Sequence, residues 1–124
     1  LDRETAGRLF RQAWVEGVRR HYPGTPRDGY VAAWDEMPEW ERASAVAVAD
    51  QVAHFVRVSD GSTEGLTRDQ RGQFIAICWI AQIRRHIPDP KPSYVTPWEE
   101  LPSWQRETDA EIFDTLEQAV RAGP

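Results

Sequence analysis

Two copies of Arg-Arg-His, at Arg19-Arg20-His21 and Arg84-Arg85-His86, are the residues here best suited to chemistry. Each sets an imidazole that changes charge near neutral pH beside guanidiniums shaped to hold carboxylates or phosphates. A general base would need one of these His, so an enzyme using His21 or His86 is one reading to weigh. A metal would need carboxylates to converge on them, and no HxxxH or HxxE spacing supplies neighbouring ligands, so neither a metal nor another cofactor is expected. No Ser/His/acid or Cys/His arrangement and no Gly-rich phosphate loop is present either, which leaves catalysis without machinery. A structural role competes in both copies. Cations suit the negative end of a helix, and each imidazole then bridges the helix end to its own loop.

Aromatic residues offer a second kind of chemistry. Tyr30 and Trp34, with Tyr94 and Trp98, stand in Pro-rich loops, where rings serve as platforms for a ligand or a peptide. The alternative is packing of Trp34 on Met37 and of Trp98 on Leu101. Arg42 and Arg106 fall near helix starts, the wrong end for a cation, so each should have an anionic partner. Glu36 and Glu100, six residues earlier, are the natural partners in a structural Glu–Arg clamp.

Those residues come in pairs because the chain is written twice. Residues 1–23 align with 66–88 and residues 30–56 with 94–120, giving 17 identities in 50 aligned positions across a single one-residue gap. The shared motif is Tyr-Val-x-x-Trp-[Asp/Glu]-Glu-[Met/Leu]-Pro-x-Trp-x-Arg. All six Trp fall into equivalent pairs, Trp14/Trp79, Trp34/Trp98 and Trp40/Trp104. One domain of two repeats follows: repeat 1 over 1–58, a linker over 59–65 with the composition of a solvated segment, and repeat 2 over 66–121.

Each repeat reads helix, Pro-rich loop, helix. Phe10, Ala13, Trp14, Gly17 and Val18 share one helical face, as do Ile75, Cys78, Trp79, Ile83 and Ile87. Trp14 and Trp79 therefore read as core, and Trp40 and Trp104 as core or as staples over the helix ends. Thr67 with Gln70 makes a capping box, and Pro23 and Pro88 stop the first helices. Pro38 and Pro102 open the second helices, whose stripes are Val48, Ala49, Val52, Val56 and Ile112, Phe113, Leu116, Val120. Thr96-Pro97-Trp98-Glu99 suggests an extra helical turn ahead of each second helix. Short extended pairing is conceivable only at Tyr30-Val31 and Tyr94-Val95. The fold class is all-α, with four principal helices in two tandem helix-loop-helix repeats about a pseudo-twofold axis.

Composition bounds the rest. The chain has 124 residues with fifteen basic against twenty acidic, a formal charge of −5, so nucleic acid and anionic membranes are disfavoured partners. A mean hydropathy of −0.63 and the lack of a long apolar run exclude a spanning helix. A single Cys, Cys78, excludes an intramolecular disulfide and suits the cytoplasm. Fourteen Arg against one Lys, and no Asn, point to GC-rich coding, as in high-GC bacteria and their phages. The chain begins at Leu1 and its one Met is Met37, so it reads as part of something longer.

The stretch Tyr94-Val95-Thr96-Pro97-Trp98-Glu99-Glu100-Leu101-Pro102 resembles the Val-Pro-Tyr-[Asp/Glu]-Glu-Leu-Pro segment of the ryanodine-receptor (RyR) repeat domain, and Val31 to Arg42 is similar. It is also similar to a Pro-Trp-Glu-x-x-Pro-Glu-Trp-Gln segment of actinobacterial and phage proteins of unknown role. The resemblance implies two copies packed about a pseudo-twofold axis in a module that binds rather than catalyses. About a dozen residues per copy carry it. The family's upstream Gly-Trp-x-x-Gly segment is missing, and Trp replaces its central Tyr.

The expectation is thus a non-catalytic interaction module that binds a protein or peptide through a quasi-symmetric surface of Trp34, Trp98, Tyr30, Tyr94, Arg20, Arg85, His21 and His86. The alternative is a sensor for a small anionic or nucleotide-like ligand. A duplicated chain resembles a fused homodimer, so a monomer suffices and any site comes twice or lies on the axis.

Overall fold

Asp2 accepts a hydrogen bond from the Thr5 N–H at 2.8 Å and starts helix α1, Arg3–His21. In the second copy Thr67 and Gln70 close the reciprocal capping box that starts α3, Arg68–His86. The other two helices, α2 (Glu39–Val58) and α4 (Ser103–Arg121), each follow a Pro at the N-cap. The computed structural model describes residues 1–123, and among them every regular element is helical. Where extended pairing was conceivable, the loops instead wind into single 3-10 turns at Asp28–Tyr30 and Pro92–Val95. The extra turns ahead of α2 and α4 are Trp34–Glu36 and Trp98–Glu100.

The repeat is visible in three dimensions. Each first helix packs on its own second helix and on the second helix of the other copy, while α2 and α4 meet each other. Exchanging the copies preserves this pattern, as an approximate twofold between α2 and α4 requires. Val48, Val52, Ile112, Phe113 and Leu116 from those two helices, with Val18 and Ile75, form the most deeply buried part of the core. Ser44 and Thr108 are equivalent residues of α2 and α4, and both are fully buried. Each donates its hydroxyl to the carbonyl four residues back, of Trp40 at 2.8 Å and Trp104 at 2.7 Å, so no polar group is stranded there. Gly17 has no side chain to hold α1 away from Thr108, and α1 packs on α4 more extensively than α3 packs on α2, where Gln82 stands in its place.

The linker departs from its composition. Ser59–Gly65 turns through Asp60 and Gly61, both with positive φ, into a 3-10 turn that buries Thr63. The Thr63 hydroxyl donates to Glu117 at 2.6 Å, and its carbonyl accepts from Arg71 at 2.8 Å. Arg71 and Arg121 also pair with Glu117, so a segment that reads as solvated is pinned to repeat 2 by an ion network around the buried Glu117. Polar composition marks the turn but says nothing of what caps it.

Candidate functional site: an aromatic cleft between the repeats

The loop Trp residues pack on glycine. A Cβ on Gly72 would stand 2.4 Å from the Trp98 ring, and one on Gly7 would meet Trp34 at 3.2 Å and Val46 at 2.5 Å. Gly7 and Gly72 are therefore repeated because each lets a ring lie against the helix backbone. The packing partner is this helix face of the same copy, and Trp34 also lies under the Arg8 guanidinium, 5.4 Å from its ring centre. Arg42 donates to the carbonyls of Trp34, Asp35 and Met37 and so fastens its loop to the start of α2. The expected Glu36–Arg42 and Glu100–Arg106 clamps do not form: among the described residues neither Glu36 nor Glu100 has an ion pair, and both are exposed. At Arg42 the open carbonyls of the 3-10 turn take the guanidinium instead.

Arg20, His21 and His86 reach across the axis rather than to their own loops. His21 Nε2 lies 2.8 Å from Glu111 on α4, and Arg20 pairs with the same carboxylate at 2.9 Å. His86 lies beside Trp40 of α2, with ring centres 6.4 Å apart, and its buried Nε2 has no partner among the described residues. Arg85 is exposed. With Glu107, one helical turn away, Glu111 completes a His-Glu-Glu group of metal-binding geometry that spacing within one repeat could not reveal. Arg68 already bridges those two carboxylates, at 2.8 Å to Glu107 and 3.4 Å to Glu111, so the group is satisfied by cations of the chain itself.

A cleft of about 350 Å3 opens between the copies. Three repeated aromatic pairs line it together: Trp14 and Trp79, Trp40 and Trp104, Tyr30 and Tyr94. Of the eight residues expected to bind, the cleft therefore gathers Tyr30 and Tyr94. Trp34, Trp98, Arg20, Arg85, His21 and His86 lie outside its lining. Its four Trp are ones that helical periodicity assigns to core or to helix-end packing. Trp14 and Trp79 do pack against the core, but all four are only partly buried, and together they line the cleft.

The two halves differ in finish. On one side Trp14, Tyr22, Tyr30 and Trp104 form an edge-to-face and tilted cluster with ring centres 4.9 to 6.0 Å apart. The Trp14 indole N–H donates to the Tyr30 carbonyl at 2.9 Å. On the other side Trp79 stacks on Phe10 at 5.6 Å, and Tyr94 remains 47% exposed at the rim.

Polar groups in the cleft are few. Arg11 is nearly buried and largely engaged: it pairs with Glu41 at 3.3 Å and donates to the carbonyls of Gly29 at 2.9 Å and Ala32 at 3.0 Å. Burial pulls the Arg11 pKa down and pushes Glu41 up, and the attraction between them opposes both shifts. Arg27 lies at the exposed rim, over the Tyr30 ring. Asp109 is only 5% exposed, and no other described residue gives it a hydrogen bond or an ion pair. Burial drives its carboxyl well above the usual carboxylate range.

Comparisons of this chain with protein families, with curated proteins and with solved structures find no match.

Proposed function

We propose that this chain is a non-catalytic ligand-binding domain whose site is the cleft between the repeats. One observation carries the reading: three aromatic pairs, contributed equally by both copies, line a single cavity instead of filling the core. About 300 Å3 is the lower size of pockets that hold small molecules, and convergent rings with a few polar groups are their usual lining. Arg20 is engaged by Glu111 and lies outside the cleft, so an anion held there by Arg20 and Arg85 finds no support in the lining.

A peptide partner is the second reading, favoured by the exposure of Tyr94 at the rim, where one inserted side chain would meet it. The paired helices about an approximate twofold also agree with what the RyR resemblance implies, and we carry that kinship forward as a proposal. No helix of the described residues is long and apolar enough to cross a membrane. The single Cys suits the cytoplasm, and the duplication, which mimics a dimer, suits a monomer.

A small-molecule screen by thermal shift tests the site, because a ligand of the folded state raises Tm by mass action. Gln105→Trp, which fills the cleft from a partly exposed lining position, should abolish every shift that originates there. Shifts that survive Gln105→Trp would remove the cleft from the proposal.

A further inference from the structure

The acids of α4 single out Asp109. Where α2 carries Ala43, Ala45, Ala47 and Ala53, the equivalent positions of α4 carry Glu107, Asp109, Glu111 and Glu117. Three of these four acids have cations beside them. Glu107 has Arg68, Glu111 has Arg20 and Arg68, and Glu117 has Arg71 and Arg121. Asp109, more than nine-tenths buried and lining the cleft, has none among the described residues. An unpaired buried carboxyl costs stability, and the Ala at the equivalent position of repeat 1 meets no such penalty. Groups kept in that state concentrate at binding sites.

Resting on the reading of the cleft as a ligand site, we infer that its ligand presents an alkylated ammonium head, held among the Trp40, Trp79, Trp104 and Tyr94 rings with Asp109 as its counter-ion. Ring faces carry negative quadrupole potential and attract alkylammonium ions, most strongly where water is excluded. The buried cation that could have served an anion instead, Arg11, is already paired with Glu41 and directs four of its five N–H donors at Glu41, Gly29 and Ala32. The head can belong to a free small molecule or to the alkylated lysine of a peptide. Binding ionises Asp109, so the carboxyl proton leaves to solvent as the cation enters.

Three probes are titrated against the intact chain with Trp fluorescence as the readout: choline, a peptide with one trimethyllysine, and 3,3-dimethylbutan-1-ol, the uncharged analogue of choline. At least one cation should bind about tenfold or more tightly than the uncharged alcohol, and Asp109→Asn should erase about that factor. Choline alone assigns a free ligand, and the peptide alone assigns a partner's side chain. Asp109→Ala, which restores the residue of repeat 1, is the second variant, with circular dichroism confirming its fold. Equal binding of alcohol and choline, or unchanged affinity in both Asp109 variants, overturns the cation. The ligand site itself survives that result if Gln105→Trp still removes the alcohol. Absence of binding by both cations at millimolar concentration also overturns the inference, and the thermal-shift screen then judges the cleft independently.

Discussion

The Trp98 ring occupies the space that a side chain on Gly72 would need, with the missing Cβ only 2.4 Å from the ring edge. Gly72→Ala should therefore destabilise the fold by about 1–3 kcal/mol, as overpacking does, although Ala is the better helix former. Trp98→Ala in the same chain should recover part of that loss. A double-mutant cycle by urea unfolding measures the coupling, and strict additivity would show that ring and glycine do not meet.

Asp109 should be a stability liability at neutral pH. In the unfolded chain its carboxyl ionises near the ordinary 3.8, whereas the buried one keeps its proton to a much higher pH. The folded state thus binds more protons, and stability falls as pH rises above the ordinary value until Asp109 itself ionises. Asp109→Ala should raise stability at pH 7 by about 1–3 kcal/mol and flatten this decline. The other charged or titratable groups of the cleft, Arg11, Arg27, Tyr30, Glu41 and Tyr94, are unchanged in the variant, so its melting curves across pH isolate Asp109.

Glu117 should behave in the opposite way. Burial raises its pKa, but the Thr63 hydroxyl and the Arg71 and Arg121 guanidiniums outweigh burial and leave it below its usual 4.5. Its contribution is present above the unfolded value and is lost as pH falls through the depressed folded one. Glu117→Gln should cost about 2 kcal/mol at pH 7 and much less in acid, because two guanidiniums lose the buried anion they share, Arg71 keeping only Asp114 and Arg121 only Glu64. An unchanged Tm at pH 7 would mean that the linker is not held by this network.

Cys78 should be inert in the native protein. It is buried, and burial pushes its thiol up to about 11, so almost no thiolate exists at neutral pH. Its reaction with a chromogenic disulfide reagent should follow unfolding, and rapid labelling at pH 7 would contradict that placement.

The helices were legible because each signal for them is local. Asp2, the Thr67–Gln70 box and the paired Pro residues mark their ends, and aligning the repeats shows the same plan twice. The site was much less legible. Periodicity places Trp14 and Trp79 on apolar stripes, and their place at the helix starts makes Trp40 and Trp104 core or staples, but neither signal says which part of those faces is left without a facing helix. That depends on how two copies meet, and no spacing within one repeat encodes it. The same limit hid Glu111 from His21, since the pair spans both copies. A usable signal did exist in the Ala45/Asp109 column of the repeat alignment, where an acid falls one helical turn before the Phe113 core position.

Joining the repeats in one chain also sets how the cleft is occupied. Two identical subunits around the same axis would place either two Ala or two Asp at positions 45 and 109, both of which line the cleft. Such a pocket would be uncharged, or would set two acids to share a single proton, and either way a guest could enter in two equivalent orientations. With Ala45 on one side and Asp109 on the other, the cavity has a head and a tail. On the proposed function, stoichiometry is then one guest per chain, in a single orientation.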